Sequence, residues 1–194
     1  EGVSPGVKLS RTSLTARAVS HFGKAERWTT DTKVQYTKTN AENRPVGGNN
    51  PNNSFGTLFG LPRSIDIRDF ERAVDENGNM IWYGSSSQMN PYWNSRYNLN
   101  QDLRDRFIMN GSVKYAFTDW LSAEIKGGAD MHYTTIESKL YGGSPQTPSG
   151  RYSLGTQNFM ETNYSTLITA QRDNVIGRLG GMVTLGGNLM AQKF

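Results

Sequence analysis

Residues 121–133 read Leu121-Ser122-Ala123-Glu124-Ile125-Lys126-Gly127-Gly128-Ala129-Asp130-Met131-His132-Tyr133. Every odd position except glycine is apolar or aromatic, and the even positions carry Ser122, Glu124, Lys126, Asp130 and His132. Successive side chains of a strand point to opposite faces, so this alternation describes a strand with one oily and one polar face. Residues 107–117 repeat it. Phe107, Met109, Val113, Tyr115 and Phe117 oppose Asn110, Ser112 and Lys114, although Ile108 also falls on the polar side. Only Thr118, Asp119 and Trp120 separate the two stretches, which suits a hairpin.

Working outward, residues 28–39 alternate Trp28, Val34 and Tyr36 with Asp31, Lys33 and Gln35. Weaker alternation marks residues 8–22, 161–172 and 178–190, with Leu167 interrupting the polar face of the fifth stretch. Six strands are therefore expected, near 8–22, 28–39, 106–117, 120–133, 161–172 and 178–190. A short helix is expected within 54–61, stopped by Pro62, and no long 3.6-residue period occurs.

The connections carry as much information as the strands. Strands join pairwise through short links at 23–27, 118–119 and 173–177, and between these lie long segments near 40–105 and 134–160, rich in Asn, Gly, Ser, Pro and Tyr. Soluble domains seldom carry such long connections, whereas outer-membrane barrels alternate short turns with long loops. Aromatic rings also gather at strand ends. Phe22, Trp28, Phe117 and Trp120 lie beside the short turns, and Tyr36, Phe107 and Tyr133 lie towards the opposite ends. Rings of this kind settle at membrane interfaces, and they also pack across strands in soluble sheets.

Composition agrees with this class. Mean hydropathy is −0.63, and no segment approaches the roughly 18 apolar residues of a membrane helix. A barrel strand needs only every second residue to be apolar. There are no cysteines, hence no disulfide or thiolate site. The 21 basic and 17 acidic residues are dispersed, which argues against nucleic acid as a partner. The expected fold is all-β, an antiparallel transmembrane β-barrel in the bacterial outer membrane. Closure needs about eight strands, so residues 1–194, opening Glu1-Gly2-Val3, are expected to be one internal segment of a single larger barrel domain.

Several fragments, in order, carry a family resemblance: Arg27-Trp28, Asn43-Arg44-Pro45, residues 59–67 from Phe59-Gly60-Leu61-Pro62-Arg63 through Ile67, Asn90-Pro91-Tyr92-Trp93, residues 106–115, Thr118-Asp119-Trp120-Leu121 and Gly186-Gly187-Asn188-Leu189. Together they resemble the SusC/RagA family of TonB-dependent outer-membrane transporters of Bacteroidetes. The resemblance implies a barrel of about 22 strands with a plug domain. It implies uptake of a glycan or peptide driven through TonB, and a SusD-like surface lipoprotein as partner. The plug and TonB-contacting regions have no counterpart in this segment.

The candidate ligand- or lid-contacting residues lie in the first long loop. They are Trp82, Tyr83, Tyr92, Trp93 and Tyr97, with Arg63 and Asp66 nearby, because aromatic faces beside polar groups suit sugars, peptides and proteins alike. Tyr141 and Tyr152 raise the same choice in the second loop. Glu124, Lys126, Asp130 and His132 are expected to face the lumen. No catalytic residues, metal site or cofactor are expected: His21 and His132 sit on strand faces without a nucleophile motif. Asp75-Glu76-Asn77-Gly78-Asn79 lacks the calcium-loop spacing and reads as a tight turn. Gly177-Arg178-Leu179-Gly180-Gly181 lacks the lysine of a phosphate loop. The competing readings are a non-transporting structural barrel and a soluble carbohydrate-binding β-sandwich, with an enzyme behind both.

Overall fold

The computed structural model describes residues 4–84, 87–177 and 179–194. Its frame is one six-stranded antiparallel sheet in the order β1-β2-β3-β4-β5-β6. The strands are β1 (Lys8–Phe22), β2 (Trp28–Glu42), β3 (Asn98–Ala116), β4 (Leu121–Leu140), β5 (Arg151–Ile176) and β6 (Leu179–Lys193). Each strand pairs with its neighbours in sequence, so β1 and β6 are open edges. Two short helices, α1 (Ser54–Phe59) and α2 (Pro91–Tyr97), sit in the connection between β2 and β3. The start expected for the sixth strand, Arg178, lies outside the described residues.

The strands outrun their sequence signal. β3 begins at Asn98, β4 continues to Leu140 and β5 starts at Arg151. The long connections near 40–105 and 134–160 thereby contract to residues 43–97 and 141–150. Polar pairs support these extensions: Lys8–Glu42 at 3.7 Å, Arg104 donating to Thr134 at 2.9 Å and Tyr152 donating to Glu137 at 3.0 Å across strands, and Arg44, just past β2, to Asp102 at 3.1 Å. Ladder hydrogen bonding and such pairs keep a strand extended where neither face is apolar.

The short links are tight turns. Gly23, at φ 86°, leads into a helical turn over Lys24–Glu26. Thr118 accepts a hydrogen bond from the Leu121 N–H at 3.0 Å and closes the next hairpin. The Asp75 segment is likewise a turn inside the loop. Val74 bridges Met80, Gly78 has φ 84°, and the Asp75 carboxylate accepts the Asn77 and Asn79 N–H groups at 2.9 and 2.7 Å.

The chain forms two compact units. The first comprises Glu1–Arg11, Thr39–Arg104 and Thr134–Thr156; the second comprises Thr12–Lys38, Asp105–Tyr133 and Gln157–Phe194. The first unit has a small apolar core of Ala73, Met89 and Trp93, with Val74, Met80, Tyr92 and Tyr97 packed around it.

The second unit is built differently. Among the described residues, the buried apolar ones are Ala41, Ala73, Met89 and Trp93, all in the first unit. In the second, the apolar residues of one sheet face stay open. Ile125 is 62 % exposed, Leu185 73 % and Leu189 76 %. Hydrogen bonds from Ala116 to Arg27 and from Phe117 to Leu121 fix the register, so Trp28 meets Tyr115 (4.5 Å between ring centres) and Tyr36 meets Phe107 (4.8 Å). Phe22 stacks on Trp28 at 6.1 Å. The rings thus form two levels on the apolar face. Eight residues separate Trp28 from Tyr36, about 26 Å along a strand.

One irregularity finds its cause in the register. Leu167, the apolar residue on the polar face of β5, pairs with Gly186 of β6. A Cβ on Gly186 would lie 2.5 Å from the Leu167 side chain and 2.9 Å from the Thr166 carbonyl oxygen. Glycine leaves the slot that Leu167 fills.

Candidate functional site

The polar face of the second unit is a shallow trough of about 530 Å³. Neighbouring strands bring oppositely charged residues side by side on it. Arg17 of β1 grips Asp31 of β2 in a two-pronged pair, Nε to Oδ1 at 2.9 Å and Nη2 to Oδ2 at 2.6 Å. Arg106 of β3 grips Asp130 of β4 through the same fork, with its Nε bond at 2.9 Å. On β4 itself Lys126 pairs with Glu124 at 3.1 Å. Glu161, Asn163 and Ser165 of β5 complete the lining. The trough thus carries charges of both signs, largely neutralised in pairs, on a polar and wettable wall.

Of the residues expected to face the lumen, Glu124, Lys126 and Asp130 line this trough together. His132 stacks on Phe159 at 4.8 Å, and Phe159 meets Phe194 edge-on at 5.2 Å. A small aromatic platform therefore sits on the same polar face as the trough. Among the described residues, no group of three or more His, Asp or Glu could hold a metal ion.

The first unit holds the loop candidates, which fall into separate roles. Trp93 is fully buried and is the centre of the loop core. Its ring contacts Tyr97 at 4.8 Å and Tyr141 at 5.9 Å, so it presents no face to a ligand. α2 turns this indole inward, where burial of a large ring stabilises the loop. Trp82 and Tyr83 form a second cluster with Phe70, at ring distances of 4.7 to 5.6 Å. Tyr83 is 39 % exposed and presents this cluster to solvent.

Asn90 ties the two clusters. Its amide nitrogen donates to the Phe70 and Ile81 carbonyls, both at 2.9 Å, and its oxygen accepts the Tyr92 N–H and caps α2. Asn-Pro at the cap and first turn is a helix-start signal that the alternation reading passed over. Arg63 is exposed. Asp66 caps the helical turn over Ile67–Phe70 and is gripped by Arg68. The Arg68 side-chain and backbone hydrogen bonds hold the Asp66 carboxyl down at about 2. Asp66 is thereby engaged in the loop's own structure.

Tyr92 belongs to a pocket that the sequence reading did not find. This pocket of about 310 Å³ is ringed by five asparagines, Asn43, Asn52, Asn94, Asn98 and Asn100, with Phe55 and Leu58 of α1 opposite. The signal was present in the density of Asn between 40 and 100. Asn is common in turns, so composition alone did not single these residues out.

No protein-family model matches this chain, and no curated protein matches it.

Proposed function

We propose that this chain is a membrane-spanning segment of an outer-membrane β-barrel of the SusC-like, TonB-dependent kind. The protein containing it imports a glycan or peptide nutrient with a SusD-like surface lipoprotein, energised through TonB. The observation that carries this reading is the second unit: six paired strands with one exposed apolar face, one polar face and no buried apolar residue among those described. In water such a face has no cover. In a bilayer the hydrocarbon is its cover, and the two aromatic levels fall at the headgroups. Strands tilted by about 40° bring the 26 Å between levels to about 20 Å of depth, about 5 Å less than the roughly 25 Å apolar band of such barrels.

The trough faces the lumen in this reading, where paired charges contact water, plug or solute. The long loops of such barrels are extracellular, where ligand and lipoprotein meet them. The transporter assignment within the barrel class rests on the family resemblance of residues 8–192.

Tryptophan quenching tests the placement. The four tryptophans are Trp28, Trp82, Trp93 and Trp120. In the full-length protein reconstituted into lipid brominated along its acyl chains, with every tryptophan outside this chain replaced by phenylalanine, a variant keeping only Trp28 should be strongly quenched. Variants keeping only Trp82 or only Trp93 should not. Equal quenching of all three, or none of Trp28, would remove the membrane placement.

A further inference from the structure

Asparagine is followed by glycine at two places, Asn77-Gly78 and Asn110-Gly111, in opposite settings. Asn77-Gly78 lies in the turn between Val74 and Met80, whose main chains bridge. Asn110-Gly111 lies inside β3, which is paired on one side with β2 and on the other with β4. Glycine has no Cβ, so its amide nitrogen has the freest approach to the carboxamide carbon of a preceding asparagine. That approach needs a backbone free to fold back on itself, which an extended strand bonded on both sides is not.

The turn holds its other amides firmly. The Asp75 carboxylate accepts the N–H groups of Asn77 and Asn79 at 2.9 and 2.7 Å, and the Asp75 N–H donates to the Asn79 carbonyl at 2.9 Å. The Gly78 N–H between them has only the Asp75 carbonyl, at 3.3 Å, beyond the usual N–H···O range. Gly78 stands at φ 84°. Asn77 is exposed, and its carboxamide bonds to no described residue. The reacting nitrogen and the reacting carboxamide are thus the two groups that the turn leaves to water.

We propose that Asn77 is a self-modification site, converted by water alone to aspartate and isoaspartate. The Gly78 amide gives its proton to solvent base, and its nitrogen bonds to Asn77 Cγ. The Cγ–Nδ2 bond breaks, and Nδ2 leaves as ammonia after taking a proton from water. The five-membered imide left behind then takes up one water. Opening its bond from Gly78 nitrogen to Cγ gives aspartate. Opening the bond from the same nitrogen to the Asn77 main-chain carbonyl carbon gives isoaspartate, with the chain now running through Cγ. The sum is one asparagine and one water in, one acidic residue and one ammonia out. This chemistry is independent of whether the sheet meets lipid.

Isoaspartate lengthens the main chain by one carbon, and the turn has no room for it. The Gly78 carbonyl oxygen packs on Gly143, where even a Cβ would meet it at 2.2 Å. The Met80 N–H donates to the Gly143 carbonyl at 2.9 Å. Both segments belong to the first unit. The lengthened turn therefore loosens its hold on the 141–150 loop, a slow and one-way change in how that loop is attached.

The test incubates the full-length protein in heavy-oxygen water, folded in detergent or unfolded in urea, and maps the tryptic peptides by mass spectrometry. In the folded protein heavy oxygen should enter residue 77, mainly as isoaspartate, and faster in mildly alkaline than in mildly acidic buffer. Residue 110 should be labelled about tenfold more slowly or less, because its strand must open first. In urea the two sites should react at similar rates. Proteinase K should then cut within 141–150 more readily in aged than in fresh protein. Asn77→Gln keeps the turn bonds, which use the main-chain N–H, but cannot close the five-membered ring, so it should show neither change. No label at residue 77 in folded protein while the urea sample is labelled, or equal labelling of residues 77 and 110 in folded protein, would overturn the site. Labelling with unchanged cleavage, or the same new cleavage in aged Asn77→Gln, would overturn the release of the loop.

Discussion

Ile125 is where the orientation of the sheet meets a measurable energy. On β4 the apolar face runs from Leu121, bonded across the hairpin to Phe117, to Tyr133. Gly127 is its midpoint, and Ile125 is two residues away, about 5 Å of depth from the centre for a tilted strand. With the sheet in a bilayer as proposed, Ile125→Arg sets a charge near the middle of the hydrocarbon, at about 2–4 kcal/mol. That is about a 30- to 1,000-fold loss in the folding equilibrium. Lys126→Ala, next along the chain on the other face, removes only an exposed pair with Glu124 and should cost about 1 kcal/mol or less. If the apolar face met water, Ile125, already 62 % exposed, should accept arginine within about 0.5 kcal/mol. Urea titration of the full-length protein in lipid vesicles, read by heat-modifiability, measures both variants. Equal midpoints for the two would refute the assignment of faces.

Other positions give independent outcomes. Trp93→Ala empties the centre of the loop core and should cost that unit about 3–5 kcal/mol, read as faster proteolysis within residues 43–97 with heat-modifiability retained. Gly186→Val should destabilise by about 1–3 kcal/mol through its clash with Leu167 and the Thr166 carbonyl, and Leu167→Ala should restore part of that loss. Asp66, held at about 2 rather than 3.8, favours the folded loop at neutral pH. Because its folded value is the lower one, that contribution is present above about 4 and fades as pH falls towards 2. NMR titration should place its midpoint near 2, and Arg68→Ala should move it back towards 3.8.

The six strands were legible because period two leaves a plain trace where one face is apolar and the other polar. Where apolar residues are sparse, as in Asn98-Leu99-Asn100-Gln101-Asp102, the contrast fades, and the start of β3 disappeared into an apparent loop. The beginning of β5 was missed despite Tyr152 and Leu154, because its Gly, Ser and Thr content looked like turn material. The trough was readable, since strand parity placed Glu124, Lys126 and Asp130 on one face. Their partners Arg106 and Arg17 depended on register, which no single strand encodes. In the loop, aromatic residues stood out but their roles did not. Whether a ring is core or surface depends on what packs against it, and Trp93 and Tyr83 look alike in sequence. The asparagine pocket is assembled from segments about 50 residues apart, and local patterns carry no trace of it.

We propose that this chain belongs to an outer-membrane barrel larger than itself. Fractionation of the native host, followed by intact-mass analysis of the protein containing this sequence, tests it most directly. The expected result is a detergent-extracted outer-membrane protein far heavier than 21.6 kDa, co-purifying with a lipoprotein. A protein of about that mass in the soluble fraction would contradict it.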